Sequence, residues 1–486
     1  MKIVTIKRLI LIVSVVISIG ACKKDLKPYD SKSEADALKT PADLQMATYG
    51  AYAGIKAPDY TLRLFWMSIY PSDDVALSGA TTDPIYNEYT YTHFPAMGST
   101  TVFWHDAYGA IYSANRVIEK IKDGESPALD QLKGENLFLR DLSHFFLVRF
   151  FGRPYPQGKG ENPGIPIKDN TKNDLPVRNT VKEVYDFLIA DLQKAANLMT
   201  ESKDSRFASP ETAYALLSRI YLYKENNDSA IFYANKVIDS KRYSLMATDP
   251  YKKYFTLHPE DNPETIFAIR FIPQDNQYYD AIGNQFYNDP VTQATGYGET
   301  YASLGLVNLL NQYPEDVRHS FIELQQDKTT ADTLKRGGVP KFYVNKFNWQ
   351  DGIANLSSPV IFRLAEMYLN RAEANAKLGN YQAAIDDVNL IRRRAGLSGS
   401  ALYTVDDLKG RGSVLDVVLE ERRLEFFLEG HRPFDLYRNN LPMIRHYPGF
   451  HGTDHYNFTV EPTDPQVIFL IPEREMNANP NLTQNP

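Results

Sequence analysis

Small apolar residues in the last third of the chain repeat with a helical period and predict a pair of packed helices. The first stripe advances by steps of four, three and four residues: Ala365, Leu369, Ala372 and Ala376. A second stripe follows directly: Ala384, Val388, Ile391 and Ala395. Gly379 and Gly396 follow the two stripes, and glycine often ends a helix because it tolerates a left-handed backbone. Since facing stripes of small residues let two helices approach closely, the pattern predicts an antiparallel helical hairpin.

A third helical stripe after this hairpin carries a carboxylate among apolar residues: Val414, Val417, Glu421, Leu424 and Leu428. A buried charge without a partner costs several kcal/mol, so Glu421 needs a cation beside it. Arginines are plentiful nearby: Arg363, Arg371, Arg392, Arg393 and Arg422. The pattern therefore favours a structural Arg–Glu pair between helices. The alternative, a catalytic acid, has no other support in this stretch.

An earlier segment of the chain repeats the hairpin pattern at an offset of 154 residues. Tyr214 then matches Tyr368, and Ala230 matches Ala384. Aromatic, small and aliphatic positions at these spacings resemble tetratricopeptide helix pairs. Further helical periods are found in residues 41–56, 103–121, 134–156 and 181–199. Because the copies are not in tandem, the sequence predicts an all-α scaffold of dispersed tetratricopeptide-like hairpins.

Three long segments between the helices have little helical period: Pro71–Ser99, Leu257–Tyr301 and Lys335–Ser358. Irregular segments of this length in a compact domain are usually functional or disordered. They are rich in aromatic residues, and the whole chain contains 32 tyrosines. Since disordered segments are poor in aromatic residues, we interpret these segments as ordered functional loops.

The three loops combine aromatic rings with amides and carboxylates, the side chains that bind sugars. Aromatic faces stack on the apolar faces of sugar rings, and amides and acids hydrogen-bond the hydroxyl groups. The ligand-binding candidates are Asp73, Asp74, Tyr86, Asn87, Tyr89, Tyr278, Tyr279, Tyr297 and Trp349. Each tyrosine has an alternative role, which is to pack its loop onto the helical scaffold. Trp349 has amide and acidic neighbours, Asn348, Gln350 and Asp351.

The first residues have the pattern of an export signal. Lys2, Lys7 and Arg8 precede an apolar core of eleven residues, which is too short to span a membrane. Small residues then lead into Cys22, which is the only cysteine of the chain. This arrangement resembles a bacterial lipobox. We therefore predict a signal peptide at residues 1–21 and lipidation of Cys22 at the start of the mature protein.

Charge and motifs exclude several classes of protein. A net charge of −7 argues against nucleic-acid binding, which requires basic patches. The sequence contains no GxSxG elbow, P-loop, HExxH pair or CxxC cluster, so we predict neither an enzyme nor a bound metal or cofactor. His451 and His455 form a close pair but lack a third ligand. No Gly/Ser-rich or Pro-rich linker divides residues 22–486, which we predict to form a single domain.

Four motifs in the C-terminal part together resemble the SusD/RagB family of Bacteroidetes outer-membrane lipoproteins: RLAEMYLNRAEA, VNLIRRRAGL, LEERRLEFFLEGHRPFDLYR and the terminal VIFLIPEREMNANPNLTQNP. The resemblance implies an N-terminal SusD-like part over about residues 22–330 and a C-terminal SusD/RagB part over residues 331–486. It also implies that the protein captures an oligosaccharide at the cell surface. The ligand would pass to a SusC-like TonB-dependent transporter, over which the protein sits as a lid. Two alternatives stay open: a peptide-capturing member of the family and a glycoside hydrolase on a helical scaffold.

Overall fold

The computed structural model describes residues 38–77, 85–287, 296–327, 329–451 and 457–486. The predicted signal peptide and Cys22 lie outside these residues. The chain divides into two units, Met1–Met46 and Ala47–Pro486, and the second unit contains the features analysed below. Within the described residues, no helix combines the length and the apolar character needed to cross a bilayer.

Helices make up about 51% of the structure, which confirms the predicted all-α class. Their bounds are α1 Pro41–Ile55, α2 Pro58–Ile69, α3 Ile85–Thr90, α4 Gly98–Ile118, α5 Pro127–Phe151, α6 Val181–Leu198, α7 Pro210–Tyr223, α8 Asn227–Asp239, α9 Thr248–Tyr251, α10 Leu304–Leu310, α11 Leu364–Lys377, α12 Tyr381–Arg394, α13 Val414–Phe426, α14 Arg432–Arg438 and α15 Glu473–Ala478. Side-chain capping of the helix N-terminus explains where several of these helices begin. At α6, for example, Thr180 and Glu183 form a reciprocal capping box.

The strands in the described residues are short, and they form two-stranded antiparallel sheets. The pairs are β1 Val75–Leu77 with β3 Thr300–Ala302, β2 Thr265–Ala268 with β8 Val360–Arg363, β4 Ile322–Leu324 with β7 Phe342–Val344, β5 Lys335–Arg336 with β6 Val339–Pro340, and β9 Met443–Arg445 with β10 Phe458–Val460. The first two pairs join segments that are far apart in the sequence. These strands therefore tie the loops to each other and to the helical scaffold.

The predicted hairpin is formed by α11 and α12 around Gly379, whose φ of 81° is left-handed. Except for Ala395, the residues of both stripes are buried together in one apolar cluster. The earlier copy of the pattern forms α7 and α8, and α8 packs against α11. The two copies are therefore in direct contact, although many residues separate them in the sequence. The prediction of dispersed tetratricopeptide-like hairpins is confirmed.

Glu421 is buried on α13 between two arginines. It accepts hydrogen bonds from Arg318 Nη1 at 2.7 Å and from Arg392 Nη1 at 2.9 Å. Arg318 also pairs with Asp316 at 2.6 Å. The structure thus agrees with the interpretation of Glu421 as part of a structural ion pair. Sequence reasoning missed Arg318 because it lies 103 residues upstream of Glu421.

Replacement of Glu421 tests the contribution of this buried network. Glu421→Ala leaves Arg318 and Arg392 with fewer acceptors inside the protein, so we expect the free energy of unfolding to fall by about 3–5 kcal/mol. The neighbouring Glu420 is the matched control, because it is only half-buried, where it pairs with Arg411 and accepts a hydrogen bond from the hydroxyl of Tyr403. Glu420→Ala should cost less, about 1–2 kcal/mol. Urea denaturation measures both, and equal losses would contradict a special role for Glu421.

Candidate ligand-binding site

The three long loops predicted from the sequence meet at one place in the structure. Strand β1 of the first loop pairs with β3 at the end of the second, with Ala76 opposite Tyr301. Ala76 and Tyr301 pack in one apolar cluster with Tyr287 and Tyr343, and Trp349 of the third loop packs against that cluster. A shared apolar cluster therefore brings residues of all three loops together.

Three tyrosines of the second loop present their rings to solvent. Tyr278 is 69% exposed, Tyr279 is 61% exposed and Tyr297 is 45% exposed. The rings of Tyr279 and Tyr297 lie 5.5 Å apart between centroids, at an interplanar angle of 41°. We call these three residues the tyrosine cluster. Exposed aromatic rings that lie close together, as those of Tyr279 and Tyr297 do, offer an apolar surface on which a ligand can stack.

Buried polar groups fix the backbone beneath the tyrosine cluster. Asn284 is buried, and its Nδ2 donates a hydrogen bond to the carbonyl oxygen of Tyr279 at 2.7 Å. The backbone N–H of Tyr297 donates to the carbonyl oxygen of Asn284 at 2.9 Å. Tyr278 has a left-handed φ of 50°, and its N–H donates to Asn276 Oδ1 at 3.0 Å. Asn284 thus links the segments that carry Tyr279 and Tyr297.

Trp349 is half-buried beside this region. Its ring meets the ring of Tyr287 edge-on, with 5.1 Å between centroids. Its neighbours are engaged inside the protein, because Gln350 Nε2 donates to the carbonyl oxygen of Phe271 at 2.9 Å. Asp351 Oδ1 lies 2.6 Å from His258 Nε2. Trp349 therefore has a packing role in the structure, and its part in ligand binding stays a prediction.

The first-loop carboxylates, Asp73 and Asp74, are buried in ion pairs. Arg432 Nε donates to Asp73 Oδ1 at 2.7 Å, and Arg423 Nε donates to Asp74 Oδ1 at 2.7 Å. Burial raises the pKa of Asp73, but Arg423 and Arg432 outweigh it and hold the pKa below its usual range. Burial raises the pKa of Asp74. Both carboxylates are thus engaged by arginines, and the predicted ligand contact of Asp73 and Asp74 stays a prediction. Sequence reasoning missed these partners.

Helix α3 carries the other first-loop candidates. Tyr89 is fully buried, with its hydroxyl 2.9 Å from His451 Nδ1. Tyr86 is half-buried, with its ring 5.8 Å from the ring of Phe450. Asn87 is half-buried, and its Oδ1 accepts a hydrogen bond from Thr92 at 3.1 Å. Tyr89 therefore packs its loop onto the scaffold, whereas Tyr86 and Asn87 retain partial exposure. The part of all three residues in ligand binding stays a prediction.

The histidine pair considered as a metal site is only half described. His451 is buried, and His455 lies outside the described residues. Within the part of the chain that the structure describes, no group of three or more His, Cys, Asp or Glu side chains could hold a metal ion.

Two family models match the chain. One is described as "SusD family" and matches residues 308–486, and the other is described as "Starch-binding associating with outer membrane" and matches residues 25–222. The two matches lie in succession and together span most of the sequence. The chain belongs to the SusD/RagB family, as its four C-terminal motifs predicted.

Relatives and solved structures agree with this assignment. SusD-like protein P38 of Formosa agariphila is 25% identical, over 97% of each chain. The starch-binding protein SusD of Bacteroides thetaiotaomicron is 26% identical, over 73% of this chain and 72% of that protein. The crystal structure of a SusD superfamily protein from Bacteroides thetaiotaomicron gives a TM-score of 0.81 at 26% identity, and covers 92% of this chain and 100% of that one. The crystal structure of a SusD superfamily protein from Bacteroides vulgatus gives a TM-score of 0.79 at 28% identity, and the match covers 92% of this chain and 99% of that one.

A glycine substitution tests whether the second and third loops depend on close packing. A Cβ at Gly283 would lie 2.1 Å from Asn348 Oδ1 and 2.3 Å from the carbonyl oxygen of Phe347. Gly283→Ala should therefore displace the loops and cost about 1–3 kcal/mol of stability. Gly109 in α4 is the control, because a Cβ there meets nothing within 4 Å. Gly109→Ala should stabilise the helix by about 1 kcal/mol. If thermal unfolding shows Gly283→Ala to be neutral, the loops do not pack as described.

The buried Glu88 on α3 should make the stability of the protein depend on pH. Burial raises the pKa of Glu88 to about 7, although a hydrogen bond from Ser99 opposes this. The folded protein therefore favours the protonated form of Glu88. As the pH rises from about 4.5 to 7, ionisation of Glu88 lowers the stability of the folded protein. The free energy of unfolding of Glu88→Gln, relative to that of the wild type, should therefore rise by about 3 kcal/mol between pH 4 and pH 8. Urea denaturation at several pH values measures this difference. The exposed Glu125→Gln is the control, and a pH-independent difference for Glu88→Gln would contradict the prediction.

Proposed function

We propose that the protein is a cell-surface lipoprotein that binds an oligosaccharide and delivers it to a SusC-like TonB-dependent transporter. Membership of the SusD/RagB family supports this proposal. The names of the relatives and family models also support it, because they refer to starch binding and to association with the outer membrane. Lipid chains on Cys22 would anchor the mature protein in the outer membrane, facing the cell exterior.

The tyrosine cluster is the observation that carries the proposal. Tyrosine combines an apolar ring face with a hydroxyl group that can hydrogen-bond, which suits a sugar with apolar faces and polar edges. The backbone under the rings is held by Asn284, so little ordering entropy is lost when a ligand stacks. The proposed reaction is binding without bond cleavage. Release would then accompany contact with the transporter, over which the protein acts as a lid.

Calorimetry of the purified mature protein tests the substrate class. The panel contains oligosaccharides from starch, cellulose, xylan and pectin, together with oligopeptides of matched length. We expect binding of at least one oligosaccharide with no product formed. Binding of peptides alone would favour the peptide-capturing alternative, and turnover of a glycan would favour a hydrolase.

Substitution in the tyrosine cluster locates the site. Tyr279→Ala should weaken oligosaccharide binding about 3- to 10-fold, because an aromatic contact contributes about 0.5–1.5 kcal/mol beyond its buried area. Trp349→Ala should weaken binding as well if the ligand extends from the cluster toward the third loop. The control is Tyr381→Ala, since Tyr381 is also exposed but lies on α12. An unchanged dissociation constant for Tyr279→Ala would remove the tyrosine cluster from the site.

A further inference from the structure

A groove that is partly open to solvent lies between one face of α4 and the loop that joins α5 to α6. Its volume is about 360 Å³, which is within the range typical of small-molecule sites in proteins. Four residues at helical spacing form the face of α4 that lines it: Tyr108, Ile111, Tyr112 and Asn115. The rest of the lining comes from residues 168 and 170–174 of the loop. No residue of the tyrosine cluster takes part.

Polar side chains of α4 and of the residue after it hold this loop in place. Asn115 is buried, and its Nδ2 donates hydrogen bonds to the carbonyl oxygens of Lys168 at 3.0 Å and Asn170 at 3.2 Å. Glu119 accepts hydrogen bonds from the backbone N–H of Thr171 at 2.7 Å and from its hydroxyl at 2.8 Å. The loop is therefore ordered before a ligand enters, which lowers the entropy cost of binding.

Three exposed side chains of the groove are available to a ligand. Tyr112 is 44% exposed, and Lys172 and Asn173 are exposed in the loop. Within the described part of the chain, none of these three side chains has a hydrogen-bond partner. An aromatic ring offers a face to the apolar side of a sugar ring, while an amide and an ammonium group can hydrogen-bond its hydroxyl groups. The groove thus presents the functional groups that suit a sugar.

The charges along the groove favour a neutral ligand. Lys168 pairs with Asp174, and its Nζ also donates a hydrogen bond to the carbonyl oxygen of Lys172 at 2.8 Å. The ammonium group of Lys168 is therefore already compensated by a carboxylate. Lys172 is the other cation of the lining, and one exposed lysine attracts an anion only weakly. A phosphate or carboxylate ligand would call for stronger, converging cations.

We propose that this groove is a second carbohydrate-binding site, which takes a short stretch of a neutral pyranose chain. The apolar face of one sugar ring lies on the ring of Tyr112. Asn173 and Lys172 hydrogen-bond the hydroxyl groups of the sugar. The inference shares its ligand class with the proposed function, but the groove and the tyrosine cluster have no residue in common. Each can therefore fail without the other.

Calorimetry of the mature protein carrying Tyr279→Ala tests the proposal, because this substitution weakens the contribution of the tyrosine cluster. The probes are four neutral trisaccharides: maltotriose, cellotriose, xylotriose and mannotriose. At least one should bind, and adding Tyr112→Ala should raise its dissociation constant about 3- to 10-fold through the loss of an aromatic contact. Failure of all four to bind, or an unchanged dissociation constant in the folded double variant, would overturn the proposal.

Tyr381→Ala, added to Tyr279→Ala in the same way, is the matched control. Tyr381 is 47% exposed, close to the value for Tyr112, but it lies on α12. This substitution should leave trisaccharide binding unchanged, and a loss equal to that of Tyr112→Ala would overturn the proposal. Circular dichroism checks that each variant is folded. The comparison of wild type with Tyr279→Ala bears on the tyrosine cluster alone, so the two sites are tested separately.

Asn173→Ala replaces Tyr112→Ala if the latter does not fold. It changes an exposed side chain of the loop and removes a hydrogen-bonding group from the sugar. Trisaccharide binding should then weaken about 2- to 10-fold. Undiminished binding in this variant would overturn the proposal.

Discussion

Buried arginine–carboxylate pairs hold together the helices from which the loops extend. Glu425 on α13 accepts from Arg363 at the start of α11, from Arg394 at the end of α12 and from Arg318. Each of these groups is buried, so each would destabilise the fold if its partner were absent. The network therefore fixes the relative positions of three helices with directional contacts, in addition to the small apolar residues that pack between α11 and α12.

The same kind of interaction extends from the scaffold into the loops. Arg423 lies on the side of α13 opposite Glu425 and binds Asp74 of the first loop. Arg432 binds the neighbouring Asp73. The first loop in turn pairs through β1 with the end of the second loop, close to Tyr297. A chain of fixed contacts thus runs from the buried core to the exposed tyrosine cluster. These contacts support the backbone that carries the exposed tyrosines, which lowers the entropy that the loop loses on binding.

The helical part of the fold could be predicted because its signal is local. Small residues such as Ala372 and Ala384 recur with the period of one helix face, and Gly379 marks the turn. The interior of the loops could not be predicted in this way. Composition does not distinguish an exposed aspartate from one in a buried ion pair, and Asp74 lies 349 residues from its partner Arg423. Among the tyrosines, Tyr89 became a packing residue whereas Tyr279 stayed exposed, and only the tertiary contacts separate them.

Hydrogen exchange of the mature protein, with and without the tightest-binding oligosaccharide of the panel, tests the account most directly. The account predicts slower exchange in residues 276–287 and 296–303, where the tyrosine cluster and its supporting Asn284 lie, and no change in α11 and α12. Protection confined to the helical hairpins, with the second loop unaffected, would contradict the claim that the exposed tyrosines form the ligand-binding surface.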